Sequence, residues 1–412
     1  MLRYWRAYDP SGGEFAWLLA AALILFLGLA ASRPVTRPAC RRWLLAWSGF
    51  GFVAAALGLL YWPLTSQPPF AFLWICLPLQ WGVVAGISAW LPPRGLLLLG
   101  ALLLGALPGL LWIAYQRPYL EGPQGKAMYS FGFPLGYQPH PNREHLVTKV
   151  RKGQRLYRVR YRFDEHGRRW MPPRPQAERA LLCFGCSVTM GEGVEGDEAW
   201  PAVLAARHPE VAVYNYGVSG YGPAQMLDQI RSRRLSQEVG QARLQACYFL
   251  INSHLYRLEG NWYVVGGWGG GFSRYQLQGS QLVRLGSFGE TMTPWGFLAC
   301  YSLAGWGLHQ HLAPPDVHTP GPQAKDLLVA VLGEAQQALN QEFGSCPLTV
   351  IVRSNFTWAD ELRSRVASHG IRTRVLPAVN ALPRIHGDGH PSARGHQMLA
   401  DSIEPAFWMQ KP

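Results

Sequence analysis

Residues 180–200 read ALLCFGCSVTMGEGVEGDEAW. An apolar run, 180–184, stops at Gly185; Cys186 and Ser187 make a small polar turn, and glycine returns at Gly191 and Gly193. This pattern predicts a buried strand running into a loop that presents one hydroxyl. Open α/β sheets place their chemistry just past the carboxyl ends of strands, where a crevice opens and the next helix turns its positive N-terminal end toward it. Ser187 is therefore a candidate nucleophile. An ordinary Gly-Ser turn is the alternative, and partners elsewhere in the chain decide between the two.

Working outward, apolar strand patterns and helical patterns alternate. Strands are expected at 180–184, 211–215, 246–251, 348–352 and 371–376. Helices are expected at 198–206, 223–234, 325–343, 358–368 and 392–407, the second with Pro223 in its first turn. Such alternation implies a parallel sheet with helices on both faces, and a crevice at the carboxyl ends of its strands. The stretch 260–320, rich in Gly and aromatic residues, does not fit the alternation and reads as an inserted lid or cover. Before the core, 121–175 reads as a linker and a small β element. Within it 156–163 alternates strictly, with Tyr157, Val159, Tyr161 and Phe163 on one face and Arg158, Arg160 and Arg162 on the other.

The 412 residues are 49% hydrophobic and only 15% charged, and the deficit of charge lies in the first part of the chain. Four runs without a charged side chain, 15–31, 43–62, 70–91 and 95–115, are each long enough to cross a bilayer as a helix. A cleavable signal peptide competes for the first, through Ala30, Ala31 and Ser32, but Asp9 and Glu14 in the leader and three later runs favour a retained anchor. Pro78 and Pro108 lie inside runs and should kink them. Arg33, Arg37, Arg41 and Arg42 in one link and Arg94 in another place those links in the cytoplasm. The expected organisation is then a four-span membrane region (1–118), a linker with a small β element (119–176), and an α/β domain (177–412) outside the cytoplasm, periplasmic in a Gram-negative cell. Membrane lipid, and membrane proteins meeting the four spans, are the expected partners.

The formal charge of +13 is concentrated: 143–179 holds twelve Lys or Arg against four acids. The arginine stripe reads either as a surface for lipid headgroups or an acidic polymer, or as a solvated edge guarded against pairing. Nucleic acid is excluded as a partner of a domain outside the cytoplasm. Seven cysteines, five of them beyond the membrane region, do not make a disulfide framework. Cys183 and Cys186 have Cys-x-x-Cys spacing with no second pair to complete a zinc site, which leaves structural thiols as the reading. His309, His311 and His318 lie in a proline-rich stretch without a carboxylate cluster and are not read as metal ligands.

A serine hydroxyl needs a base, and the base an orienting acid. The tail offers His386-Gly387-Asp388-Gly389-His390-Pro391 just before the last helix. His390 is the candidate base and Asp388 its partner; His386 and His396 read as surface or packing residues. The Ser187 N–H, the Gly220 N–H and the Asn252 side chain, each at a strand end, are candidate donors to an oxyanion. His254 and Arg257, just after Asn252, are candidate substrate contacts by position.

Four pieces together resemble the blocks of the SGNH, or GDSL-type, hydrolase superfamily: Gly185-Cys186-Ser187, Asn215-Tyr216-Gly217-Val218-Ser219-Gly220, Asn252, and Asp388-Gly389-His390-Pro391. Met190-Gly191-Glu192-Gly193-Val194 also resembles that family's continuation after its serine, and the likeness covers about 180–407. Cys186 stands where the family has Asp, Leu250-Ile251-Asn252-Ser253 replaces Gly-x-Asn-Asp, and one residue rather than two separates Asp388 from His390. The resemblance implies a three-layer α/β sandwich with a flavodoxin-like parallel sheet. It implies acyl-ester hydrolysis through an acyl-enzyme on Ser187, without cofactor or metal, on an ester-bearing lipid or polysaccharide. An O-acyltransferase acting on cell-surface polysaccharide, and a non-catalytic polysaccharide- or lipid-binding scaffold, are the other readings.

Overall fold

The computed structural model describes residues 118–121, 128–151, 153–240, 243–261, 264–293, 322–354, 356–376 and 382–408, with isolated positions at 42, 45–49, 53, 82, 83, 296 and 300. Contacts divide the chain into two units, Met1–Tyr119 with Met292–Ala313, and Leu120–Thr291 with Pro314–Pro412. The first holds the four expected spans, which lie almost wholly outside the described residues. The described positions within them are helical, and the Ser48 hydroxyl donates to the Gly82 carbonyl at 2.7 Å. Among the described residues no helix is long and apolar enough to cross a membrane.

The second unit begins with short strands. After β1 (Pro118–Glu121), β2 (Tyr129–Gly132) and β3 (Gly136–Pro139) form an antiparallel hairpin. The next two strands, β4 (Glu144–Arg151) and β5 (Gln154–Arg162), pair antiparallel from Glu144 opposite Arg162 to Arg151 opposite Gln154, with a bulge at Lys149 and Val150. The alternation read from the sequence is the observed one. Tyr157, Val159, Tyr161 and Phe163 are buried with Val147 and Met190, while Arg158, Arg160 and Arg162 are exposed. The arginines are partly engaged: Arg160 pairs with Glu144 at 3.2 Å, and Arg162 lies 4.2 Å over the Trp170 ring. The free edge of β5 is also blocked, because the Arg160 N–H donates to the Glu195 carboxylate at 3.1 Å.

The core sheet has five parallel strands: β6 (Arg179–Phe184), β7 (Val211–Asn215), β8 (Arg243–Leu250), β11 (Leu348–Val352) and β12 (Arg372–Val375), in the order β12-β11-β8-β6-β7. Counting β6 as the first core strand, this is the 2-1-3-4-5 order of flavodoxin-like sheets. The helices that matter for the site and the two cores are α1 (Ser187–Met190), α2 (Trp200–Arg207), α3 (Pro223–Ser232), α4 (Ser253–Glu259), α5 (Pro322–Phe343), α6 (Ala359–Ala367) and α7 (Ala393–Ile403). Because strand side chains alternate, a strand apolar on both faces feeds two cores. Ala180, Leu182 and Phe184 join Leu227 of α3 and Leu328 and Leu332 of α5; Leu181 and Cys183 join Trp200 and Leu204 of α2 and Leu399 and Ile403 of α7. Burying each large apolar side chain contributes roughly 1.5–3 kcal/mol, so the sheet position of β6 is fixed from both sides.

Three differences from the expected elements stand out. β8 begins at Arg243, earlier than 246, because Arg243 and Leu244 pair with Arg179 and Ala180. Helix α4 follows directly where only a strand end was expected. The described residues of the insertion form a π-helical turn at Val265–Gly269 and an antiparallel hairpin of β9 (Ser273–Gln278) and β10 (Gln281–Ser287). The hairpin is pinned to the core at Asp228 of α3, whose carboxylate accepts from the Tyr275 hydroxyl at 2.7 Å and pairs with Arg284 at 3.3 Å. His309, His311 and His318 lie outside the described residues.

Candidate active site

The chain order reverses at β6, with β7 on one side and β8 on the other, and Ser187 follows that strand. Gly185 makes the sharp exit possible: its φ is +154°, and a Cβ there would meet the Thr189 hydroxyl at 2.2 Å. Ser187 opens α1 and is 7% exposed. Buried Asn215, at the end of β7, staples the neighbouring loop to this turn. Its amide donates to the Thr189 carbonyl at 2.9 Å and its Oδ1 accepts the Gly217 N–H at 3.0 Å.

The loop before α7 folds back on itself, with the Ile385 N–H donating to the His390 carbonyl at 2.9 Å. That turn brings the His390 ring to the serine: Nε2 lies 2.9 Å from Ser187 Oγ. On the far side of the ring, Nδ1 is hydrogen-bonded to Asp388 Oδ1. The three side chains singled out in the sequence therefore form one chain of hydrogen bonds, and a single residue between Asp388 and His390 is enough to close it.

Two further groups complete the charge balance. Lys149, on β4 and buried, lies 3.1 Å from Glu192 Oε1 and makes an ion pair with Asp388 Oδ2. Glu192 in turn accepts from the Ser219 hydroxyl at 2.8 Å and from the Tyr157 hydroxyl at 3.3 Å, and its Oε2 is 3.7 Å from His390 Nε2. Burial alone would raise the Glu192 carboxyl, but the His390 ring, Lys149 and the Ser219 hydroxyl hold it well below the usual carboxylate range. Burial likewise opposes ionisation of Asp388, and the His390 hydrogen bond with the nearby Lys149 charge outweighs it, so its carboxyl is lowered. For His390 burial favours the neutral ring, yet the Glu192 and Asp388 carboxylates raise it above the ordinary histidine value. Glu192, Asp388 and His390 are the one grouping among the described residues within reach of a single metal ion. The Lys149 ammonium lies against both carboxylates and supplies positive charge there.

The Ser219–Gly220 loop is held from outside the core. The Tyr137 hydroxyl of β3 donates to the Ser219 carbonyl at 2.6 Å, Trp268 Nε1 donates to the Gly220 carbonyl at 3.2 Å, and Arg257 Nη1 donates to the Tyr221 carbonyl. The N–H groups of Ser187 and Gly220 have no acceptor among the described residues, as donors to an incoming oxyanion require. Asn252 precedes α4 in helical conformation, and among the described residues no hydrogen bond joins its side chain to Ser187, Gly220 or His390.

His254 is corrected by its surroundings. It is fully buried, with Nδ1 2.7 Å from the Tyr248 hydroxyl, so it packs beneath β8 rather than meeting a substrate. Arg257 braces the loop carbonyl of Tyr221 and stands 5.9 Å over Trp268. His396 is a packing residue as expected, its Nδ1 accepting the Trp200 N–H at 3.2 Å, and burial pushes its pKa down to about 3. Cys183 and Cys186 are buried free thiols. A surface hollow of about 810 Å³ lined by Leu277, Ser280, Asn340 and others contains none of the site residues.

Lys149 was not singled out from the sequence, and Glu192 only as part of a motif. The available signal for Lys149 was its position: in β4 it shares the inward face of His145 and Val147, and it pairs with Tyr157. A lysine there needs buried counter-charges.

No family model matches the sequence, and no curated protein matches it. Similar solved structures include TesA, 15% identical over 56% of this chain and 98% of that one, with a TM-score of 0.33. A lipolytic protein of the G-D-S-L family from Veillonella parvula is 13% identical over 56% and 98%, with a TM-score of 0.32. An acetyl xylan esterase from the rumen bacterium Butyrivibrio proteoclasticus is 10% identical over 57% and 66%, with a TM-score of 0.33.

Proposed function

We propose that the chain is a serine esterase that works through an acyl-enzyme, anchored in the inner membrane by its first 118 residues with the α/β domain outside the cytoplasm. One observation carries the chemistry: Ser187 Oγ, His390 Nε2 and Asp388 stand in a single hydrogen-bonded line. Ser187 Oγ attacks the ester carbonyl as its proton passes to His390 Nε2. Asp388 holds the Nδ1–H tautomer and stabilises the imidazolium. The Ser187 and Gly220 N–H groups receive the oxyanion, with Asn252 as a third candidate donor. Collapse expels the alkoxide, which takes the proton from His390, and water attacks the acyl-serine by the same route in reverse.

The four apolar runs favour a second acceptor, since one span suffices to anchor an esterase. In that version the hydroxyl of a surface polysaccharide replaces water in the second step. The deciding experiment is hydrolysis of a short-chain p-nitrophenyl ester with fluorophosphonate labelling, beside Ser187→Ala and His390→Ala. Loss of at least ~10³-fold in turnover with either variant is expected. A transferase releases little acid until an acceptor sugar is added. Wild-type protein that neither turns over nor labels leaves the scaffold reading.

A further inference from the structure

We infer that Glu192 and Lys149 are positioning residues for the base: a second carboxylate beside Nε2 of His390, and an ammonium that clamps it to Asp388, together fix the ring and its proton. The inference rests on the acyl-transfer reading above. The His390 ring lies between two carboxylates, Asp388 at Nδ1 and Glu192 with Oε2 3.7 Å from Nε2. Two such groups repel each other, and the Lys149 ammonium, 6% exposed and in contact with both, is what allows them to share the site.

Glu192 cannot swing away, because three donors from three elements hold it: Lys149 of β4, Tyr157 of β5, and Ser219 of the loop after β7. Ser219 adjoins Gly220, so this one carboxylate ties the oxyanion loop to the base. During turnover the Nε2 proton has Ser187 Oγ within hydrogen-bond reach at 2.9 Å, and the Glu192 carboxylate attracts it across an ion-pair distance of 3.7 Å. Glu192 therefore favours the imidazolium and Lys149 opposes it. Among the described residues, the other groups of this network are neutral: the Ser187 hydroxyl at Nε2, the Tyr157 and Ser219 hydroxyls on Glu192, and nearby His396 of α7, which burial keeps uncharged.

The test is the rate of fluorophosphonate labelling of Ser187 between pH 5 and 9 on the full chain, for wild type, Glu192→Gln, Lys149→Met and the double variant. The acid limb should move to lower pH in Glu192→Gln and to higher pH in Lys149→Met, and lie between them in the double variant. Glu192→Asp, which keeps the charge, should leave the limb near that of wild type while the plateau falls. Limbs that stay in place, or that both move the same way, would show a structural role alone and overturn the inference. Wild-type protein that never labels would remove the acyl-transfer reading, and this inference with it.

Discussion

His390 Nε2 lies 2.9 Å from Ser187 Oγ, although the two stand 203 positions apart in the chain. The turn after β6 supplies one and the loop before α7 the other, so the contact exists only when both ends of the α/β domain are folded. Asp388 completes it at Nδ1. Asp388→Asn should keep the fold and lower kcat by about 10⁴-fold, because an amide favours the wrong ring tautomer. Initial rates on a p-nitrophenyl ester measure this; a loss under tenfold would assign the orienting role elsewhere.

The pH profile has a direction fixed by the same groups. Burial would lower the His390 pKa, but the Glu192 and Asp388 carboxylates raise it above 6.5. A general base works in its neutral form, so activity rises as the ring loses its proton. The acid limb of kcat/KM should therefore lie above pH 6.5. A midpoint below that value would contradict the charge balance described here.

Gly220→Ala should damage both fold and chemistry. The residue sits at φ +89°, and a Cβ would meet the Tyr137 hydroxyl at 2.2 Å and Trp268 Nε1 at 2.9 Å. The left-handed backbone alone costs about 1–2 kcal/mol for a residue with a Cβ. Displacing the Gly220 N–H from its proposed oxyanion role should cost ~10²-fold or more in kcat. Urea unfolding and kcat should fall together.

His396 makes stability depend on pH. Its folded pKa is about 3, against 6.5 when free. Between those values the unfolded chain binds a proton that the folded chain refuses, so stability rises with pH across that window and is lost as pH falls through it. His396→Asn, which can still accept the Trp200 N–H, should flatten the dependence between pH 3 and 6.5 in denaturant titrations. A slope equal to that of wild type would assign the acid sensitivity to other groups.

The core strands were legible because strands buried on both faces read as unbroken apolar runs, and β7 and β11 fall at their expected limits. The Ser187, Asp388 and His390 positions were legible because Gly185 ends the apolar run just before Ser187, and Asp388 and His390 sit beside Gly and Pro ahead of a predicted helix. Helix α4 was missed because Asn252 and Ser253 were read as the tail of a strand rather than the start of a helix. The hairpin of β9 and β10 was missed although Gly279-Ser280 between two alternating stretches is a turn signal; glycine and aromatic content dominated the reading of that region. Lys149 and Glu192 were hidden for another reason. Their meaning lies in a pairing across folded elements, which no local pattern encodes.

Lys149 comes from β4, a strand that precedes the α/β alternation altogether. A boundary drawn where the doubly wound sheet starts, at Arg179, would yield a fragment with Ser187, Asp388 and His390 all present but two acidic groups left facing each other without their cation. The smallest excisable piece that keeps the centre electrically whole begins before Glu144, so the β4–β5 pair belongs to the same unit as the sheet that carries Ser187.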